Sequence, residues 1–257
     1  MKILGIIPAR WASSRLPQKA LAVIHGKTMI QRVYERVTQV NEFAQIIVAT
    51  DHSSIFEHVQ SFGGNVVMTS SEIQSGTDRC AAALNEWKLD FIPDFIVNIQ
   101  GDEPLIEPES LRELIQNLNE NTQIATLVTR IHEFEELTDP NVVKVVVDSN
   151  QNALYFSRQA IPFQRDVSLE KWLETATVYW KHIGIYAFRP SILSEITTLP
   201  TSLLENTEKL EQLRWLEKGY KMKIIETHYF SKGVDTPSDL REVSVRIQQL
   251  EEKETMI

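Results

Sequence analysis

The chain of 257 residues carries 26 Lys plus Arg against 35 Asp plus Glu, a formal net charge of −9. That balance disfavours a general nucleic-acid binder, whose affinity comes from neutralising phosphates, and a hydrophobic content of 42% excludes a disordered chain. One cysteine, Cys80, leaves neither an internal disulfide framework nor a Cys-based zinc site, and no apolar run approaches the ~18 residues of a membrane helix.

The length suits one large α/β domain or two small ones, able to bury roughly 70–75% of the unfolded surface. The apolar start from Ile3 to Ile7 is broken by Pro8-Ala9-Arg10, too early for a signal-peptide core of about 7–15 residues. It is read as a first buried strand of a cytoplasmic protein. Charge is uneven along the chain. Lys2, Arg10, Arg15, Lys19, Lys27 and Arg32 all precede the first acid, Glu35, so residues 1–34 carry +6 and the remainder must carry −15. The basic segment is either a strand, loop and helix with solvated tips or an anion site; composition alone leaves both open.

Short β-branched runs at Ile3–Ile7, Ile46–Thr50, Asn65–Thr69 and Phe95–Ile99 fit strands buried on both faces of a parallel sheet. Helical stripes lie between them. Met29, Ile30, Val33, Tyr34 and Val37 form one. Ile55, Phe56 and Val59 form another, with Ser53 placed to cap and Gly63-Gly64 to end it. Leu111, Leu114, Ile115 and Leu118 follow Pro108. This alternation predicts a doubly wound sheet. The second half is more mixed. Ile124–Ile131, Val142–Val147, Ala153–Ser157, Ile183–Phe188 and Met222–Thr227 read as strands, the second and third joined as a hairpin through Asp148–Asn152. Leu210, Leu213, Trp215 and Leu216 mark a helix, and Leu240, Val243, Ile247 and Leu250 a terminal one. With no repeat and no Pro/Gly-rich linker, one compact domain over 1–257 is expected.

Ligands of doubly wound sheets bind beyond the carboxyl ends of the strands. Pro8 to Lys19, directly after the first strand, supplies two guanidiniums, an ammonium, hydroxyls and small residues, a set suited to a triphosphate. It contains neither GxxxxGK[ST] nor GxGxxG; the other reading is a solvated basic loop. Gln100-Gly101-Asp102-Glu103 follows the Phe95–Ile99 strand, and a carboxylate there could hold Mg²⁺ or simply shape a turn. Asp235 is either the N-cap of the terminal helix or a second metal ligand facing Asp102, while Asp239 suits the helix N-terminus. Gln74-Ser75-Gly76-Thr77-Asp78-Arg79 opens a helix and could read a base edge or an anion, with capping by Thr77 as the plainer reading. Cys80, within an Ala-rich helical run, is expected to be buried and inert.

Taken in order, these segments resemble the CMP-Kdo synthetases (3-deoxy-manno-octulosonate cytidylyltransferases) from Ile3 to about Val243. The resemblance rests on Ile7-Pro8-Ala9-Arg10 through Lys19, Ile47-Val48-Ala49-Thr50-Asp51, Gln74 to Arg79 and Val97-Asn98-Ile99-Gln100-Gly101-Asp102-Glu103-Pro104. It rests equally on Ala153-Leu154-Tyr155-Phe156-Ser157-Arg158, His182-Ile183-Gly184-Ile185-Tyr186, Leu210-Glu211-Gln212-Leu213-Arg214 and Gly233-Val234-Asp235-Thr236-Pro237. Each motif is weak alone, and the ordered set is specific. Gln18 stands where the family usually has Gly, Ala20 where it has Pro, and Phe163 where Trp is frequent.

The resemblance implies an α/β fold of the nucleotide-diphosphosugar-transferase type, with a mostly parallel doubly wound sheet and a hairpin-containing, mixed second half. Residues 1–131 would mainly bind CTP, and 132–257 would mainly bind sugar and dimerise. It implies the reaction of CTP with Kdo to CMP-Kdo and pyrophosphate for lipopolysaccharide biosynthesis, with Mg²⁺, in a homodimer that binds neither nucleic acid nor membrane. Arg10, Arg15 and Lys19 would bind the triphosphate, and Gln74, Ser75, Gly76 and Arg79 would surround cytosine and ribose. Asp102 and Asp235 would hold the metal and, with Lys19, form the catalytic group. Gln100, Arg158, His182, Tyr186, Glu211 and Gln212 would line the sugar-acid pocket, with Arg165 a further candidate; His182 is alternatively a structural histidine. Rival readings are activation of an 8-amino Kdo analogue or another 2-keto sugar acid, an inactive binding module on the same fold, and a glycosyltransferase, whose Asp-x-Asp spacing Gly101-Asp102-Glu103 lacks.

Overall fold

The Ile3–Ala9 run forms a strand whose residues are buried on both faces except Pro8, with a parallel strand on each side of it in the sheet. The structure, a computed structural model, describes residues 1–13, 15–229 and 232–255, the side chains of 253–255 left aside. In chain order the first elements are β1 (Ile3–Ala9), the two-residue strands β2 (Val23–Ile24) and β3 (Lys27–Thr28), α1 (Met29–Val37), β4 (Phe43–Thr50) and α2 (Ser53–Ser61). Then come β5 (Val66–Met68), α3 (Gly76–Glu86), β6 (Phe95–Asn98) and α4 (Pro108–Gln116). They are followed by β7 (Ile124–Arg130), α5 (Phe134–Thr138), β8 (Lys144–Val147), β9 (Ala153–Ser157), β10 (Trp180–Phe188) and α6 (Pro190–Ile196). The last are α7 (Leu203–Glu208), α8 (Gln212–Glu217), β11 (Met222–Glu226) and α9 (Pro237–Thr255). The chain divides into two compact units, Met1–Arg112 with Phe230–Ile257, and Glu113–Tyr229.

In the first unit β1 pairs in parallel with β4 (Ile6 opposite Ile47) and with β6 (Ile6 opposite Asn98), and β4 pairs in parallel with β5. Four carboxyl ends therefore open on one edge, where the polar segments 8–19, 51–52, 69–75 and 99–102 begin. Ile3, Leu4, Ile6, Ile7, Ile47, Val48, Ile96 and Val97 are buried, each contributing about 1.5–3 kcal/mol of transfer free energy. α1 opens as its pattern predicts: the Thr28 hydroxyl accepts from Gln31 N, and Met29, Ile30, Val33 and Val37 face the core. Two expected caps are corrected. α2 is capped by the His52 ring, which accepts from Ser54 N, rather than by Ser53. α3 is capped by Ser75, which accepts from Asp78 N at 3.0 Å, rather than by Thr77. A second apolar cluster packs Val234, Val243 and Ile247 against Ile24, Met29 and Leu105, so the terminal helix belongs to this first unit.

In the second unit β11 is parallel to β7, β10 is antiparallel to β7 and β8, and β8 is antiparallel to β9. The hairpin expected at 148–152 is present: the Asp148 carboxylate accepts from Asn150 N and Asn152 N, both at 2.8 Å, and Gln151 takes a positive φ of 62°. The helix expected to include Leu210 starts later, at Gln212. A separate α7 precedes it, opened by a reciprocal cap between Ser202 and Glu205 and closed by Lys209 in the left-handed region. Lys144 is fully buried and donates to the carbonyls of Asp139, Val142 and Arg158. No helix among the described residues is long and apolar enough to cross a membrane.

Gly101 sits where β1 and β6 come closest past their ends. A Cβ there would lie 2.6 Å from the Pro8 carbonyl oxygen, a backbone atom that cannot swing aside. Gly101→Ala should therefore spread the strand ends and lower the free energy of unfolding by about 1–3 kcal/mol, read as a lower urea midpoint; an unchanged midpoint would contradict this close approach.

Candidate active site

A cavity of about 240 Å³ opens at the carboxyl edge of the first unit's sheet. It gathers side chains from four distant stretches: Arg10, Ser13 and Lys19 after β1, Gln74, Ser75 and Gly76 at the start of α3, Gln100, Gly101 and Asp102 after β6, and Asp235 before α9. Arg79 also reaches the cavity wall. Ser14, a member of the first loop, lies outside the described residues. The loop re-enters regular structure at Gln18, whose φ of 56° and ψ of 33° place a non-glycine residue in the left-handed region just before the single 3₁₀ turn Lys19–Leu21. This conformation is one that glycine adopts without strain, which fits the glycine expected there from the resemblance.

Charge is concentrated at one point of this wall. Lys19 Nζ donates to Asp102 Oδ2 and, at 3.0 Å, to Asp235 Oδ1. Arg15 Nη2 lies 3.0 Å from the other oxygen of Asp235, with its own side chain 64% exposed. Burial by itself depresses the Lys19 pKa, but attraction and hydrogen bonding from Asp102, then from Asp235, outweigh it and hold the ammonium above the ordinary lysine range. Backbone pairing brings the two acids together: Val234 N donates to the Asp102 carbonyl at 2.9 Å. The cap of α9 is Thr236. Its hydroxyl accepts from Asp239 N at 3.2 Å, while Asp239 Oδ2 accepts from Asp235 N, Thr236 N and the Thr236 hydroxyl. Burial raises the Asp239 pKa, and these hydrogen bonds with the nearby Lys232 bring it below the usual carboxylate range. The capping reading of Asp235 is thus corrected: its carboxylate faces Lys19 and Arg15, and Asp239 does the work at the helix end.

Arg79, also in the lining, is not open to a ligand along its whole fork. Its guanidinium donates to Thr69 Oγ1, Ser70 O, Ile73 O and Asp51 Oδ2, and so supports the loop that carries Gln74 and Ser75. Sequence reasoning assigned no role to Asp51, nor to Trp11, whose ring stacks on His52 with centroids 3.7 Å apart. The signal was present as a carboxylate directly after a predicted strand.

The second unit holds the other predicted residues. His182 and Tyr186, both on β10, are neighbours with ring centroids 5.3 Å apart. His182 Nε2 lies 2.9 Å from Thr126 Oγ1, and that hydroxyl donates to the carbonyls of Ile183 and Ile185. The hydroxyl has one hydrogen to place among these acceptors; when it goes to a carbonyl, His182 Nε2 is the donor to Thr126. Burial pushes the His182 pKa down to about 3. The Tyr186 phenol is raised well above its ordinary value by burial and by the charge of Glu211. Gln212 is buried and Arg165 is exposed. Arg158 donates through Nε to Glu208 O, through Nη1 to Pro140 O and through Nη2 to Lys209 O, bonds that use three of its five N–H groups.

The family profile described as cytidylyltransferase matches residues 4–224. The 3-deoxy-manno-octulosonate cytidylyltransferase of Bacteroides thetaiotaomicron is 53% identical over 245 residues, spanning 94% of this chain and 96% of that one. The chain belongs to the 3-deoxy-manno-octulosonate cytidylyltransferase family. The enzyme of that name from Cytophaga hutchinsonii is 49% identical, with 95% of this chain and 97% of that one covered. Among solved structures, a CMP:2-keto-3-deoxy-manno-octonic acid synthetase complexed with CTP superposes with a TM-score of 0.88 at 40% identity, over 97% of this chain and 99% of that one. A 4-diphosphocytidyl-2C-methyl-D-erythritol synthase from Anaerococcus prevotii, 13% identical with a TM-score of 0.61, shares the fold. The family and the α/β architecture expected from the ordered motifs are thus both found.

The half-buried imidazole, whose surroundings disfavour its charged form, makes stability depend on pH. Unfolded His182 takes up a proton below about pH 6.5, whereas the native ring resists until about pH 3. The unfolded state therefore binds more protons in that window, and stability falls with falling pH by about 1.4 kcal/mol per unit from this group. His182→Gln should lose this component, so the difference between variant and parent unfolding curves should shrink steadily from pH 6.5 to pH 4. A constant difference would contradict the burial of a neutral ring.

Proposed function

We propose that this chain couples CTP to 3-deoxy-D-manno-octulosonate, giving CMP-Kdo and pyrophosphate. The observation that carries the reading is the convergence, in one cavity, of a basic loop and two carboxylates far apart in sequence, Asp102 and Asp235, in a sequence 53% identical to a cytidylyltransferase of that name. The anomeric hydroxyl of the sugar acid attacks the α-phosphorus of CTP in line, the α–β bridging bond breaks, and pyrophosphate leaves with the electron pair. Charge grows on phosphate oxygens, so the chain has to position and neutralise rather than form a covalent intermediate.

In this reading Arg10, Arg15 and Lys19 bind the triphosphate and stabilise the departing pyrophosphate, with guanidinium forks matched to phosphate oxygens. Gln74, Ser75 and Gly76 lie against cytosine and ribose, with Arg79 holding their loop. For the acid, the family resemblance supports Gln100 as one partner. Tyr186, His182, Glu211 and Gln212 offer hydroxyl, imidazole, carboxylate and amide partners to sugar hydroxyls. Arg158 offers the carboxylate its two N–H groups beyond those bonded to carbonyls.

The donor set also fits a divalent ion. Asp102 and Asp235 already share one cation, the Lys19 ammonium, and carboxylate oxygens are the donors that Mg²⁺ prefers. Among the described residues no group of three or more His, Cys, Asp or Glu side chains forms a metal site, so the chain itself would offer the ion these two carboxylates. Asp102 and Asp235 would hold Mg²⁺, which supplies positive charge to the phosphate oxygens under attack. For that to happen Lys19 and Arg15 have to leave the carboxylates, and the triphosphate is the anion that draws them off. The family resemblance further supports a homodimer, a cytoplasmic location and a place in lipopolysaccharide biosynthesis.

The test is a pyrophosphate-release panel of CTP and UTP against Kdo, its 8-amino analogue and a sialic acid. CTP with Kdo should give the highest kcat/KM; a higher value for either other acid would reassign the substrate. Asp102→Asn and Asp235→Asn should each lower kcat by about two to four orders of magnitude with the fold intact by circular dichroism. Near-normal release by both variants would remove the metal assignment.

A further inference from the structure

Asp51 is outside every role assigned above, and among the described residues it does not line the cavity. It nevertheless connects the two walls. Its Oδ1 accepts from the backbone N of Trp11 at 2.8 Å, one residue beyond Arg10, and its Oδ2 accepts from Arg79 Nη2 at 3.1 Å. The paired side chains are only 9% and 3% exposed for Asp51 and Arg79. We propose that Asp51 is a positioning residue for nucleotide binding: through Trp11 N and Arg79 it fixes the spacing between the wall that takes the triphosphate and the wall that takes the cytosine. The inference rests on the nucleotide reading of the cavity.

Three features make this pair more than an ion pair beneath a pocket. First, both ends act on main chain. Asp51 holds the first loop by a peptide N–H, and Arg79 passes the restraint to the carbonyls of Ser70 and Ile73, immediately before Gln74 and Ser75. Second, the strut is stiff. Thr69 Oγ1 accepts from Arg79 and donates to Thr50 O, tying the guanidinium to the ends of β4 and β5, while the Trp11 ring stacks on His52 at an interplanar angle of 8°. A charge this deeply buried is costly to leave without its partner, so the geometry is enforced. Third, Asp51 restrains Arg79 electrostatically. Arg79 reaches the cavity wall, and an uncompensated guanidinium there would be drawn onto the phosphates and away from the base loop.

A ligand spanning both walls gains from their fixed spacing, because binding one half presents the other half at high effective concentration. A ligand touching only the basic wall gains nothing from it. This difference separates positioning from a general contribution to folding.

The experiment is calorimetric titration of the parent chain, Asp51→Asn and Arg79→Lys with CTP and with tripolyphosphate, each with Mg²⁺ and without sugar acid. Asp51→Asn keeps an oxygen for Trp11 N and removes the charge; Arg79→Lys keeps the charge and removes the planar fan of donors. Both variants should bind CTP about tenfold or more weakly, with tripolyphosphate affinity within about twofold of the parent. Equal losses for the two ligands would show a folding role only and overturn the proposal, as would unchanged CTP affinity. Retained tripolyphosphate binding serves as the folding control, and Arg79→Lys decides if Asp51→Asn does not fold. A parent chain with no preference for CTP over tripolyphosphate would contradict the nucleotide reading itself, a result distinct from failure of the strut.

Discussion

Two carboxylates from positions 102 and 235 meet on one ammonium, and most of what the chain can do follows from the cost of bringing them there. Like charges this close in a half-buried wall repel unless a cation lies between them. Lys19 is that cation, and Arg15 adds a second positive group on Asp235. The arrangement stores a basic loop and an acidic pair in mutual contact. On the proposed reading a triphosphate would take the loop and a divalent ion the acids. Each is made available by the arrival of the other's partner, so nucleotide and metal are expected to bind as a coupled pair.

The architecture supplies this contact by simple means. Parallel strands end at one edge, which puts the first loop and the Gly101-Asp102 turn side by side. Gly101 admits the Pro8 carbonyl where any larger residue would collide. The bond from Val234 N to Asp102 O sets the C-terminal segment against that turn. The Thr236 and Asp239 cap then takes over the helix end, so that Asp235 is spent on Lys19 and Arg15. The net charge of −9 hides this division: the cationic half of the site comes from the acid-free first 34 residues, and its anionic half from the remainder.

Much of this was readable in the sequence, for identifiable reasons. β1, β4 and β6 are buried on both faces, so continuous apolar runs marked them, and the polar residues after each run marked the site. Short elements fared worse. α7 spans six residues with none buried, so no apolar stripe announced it, although Ser202 and Glu205 carry the spacing of a reciprocal cap. The β2–β3 hairpin has two residues per strand and turns on His25 and Gly26, both at positive φ, too short for any periodicity. Caps were misplaced by one or two residues, at His52 for Ser53 and Ser75 for Thr77, because several neighbouring polar residues could each reach a free N–H. The role of Asp51 is not legible in the sequence, since it depends on Trp11 and Arg79, 40 and 28 residues away.

The central claim is that Lys19 stands in the position of the divalent cation. It is tested most directly by titrating Mn²⁺ into the nucleotide-free parent chain and into Lys19→Met, following free Mn²⁺ by electron paramagnetic resonance. Removing the ammonium takes away the cation that Asp102 and Asp235 share and leaves Arg15 on Asp235, so Lys19→Met should bind Mn²⁺ about tenfold or more tightly than the parent, and the gain should vanish when Asp102→Asn is added. Equal or weaker Mn²⁺ binding by Lys19→Met would contradict the account.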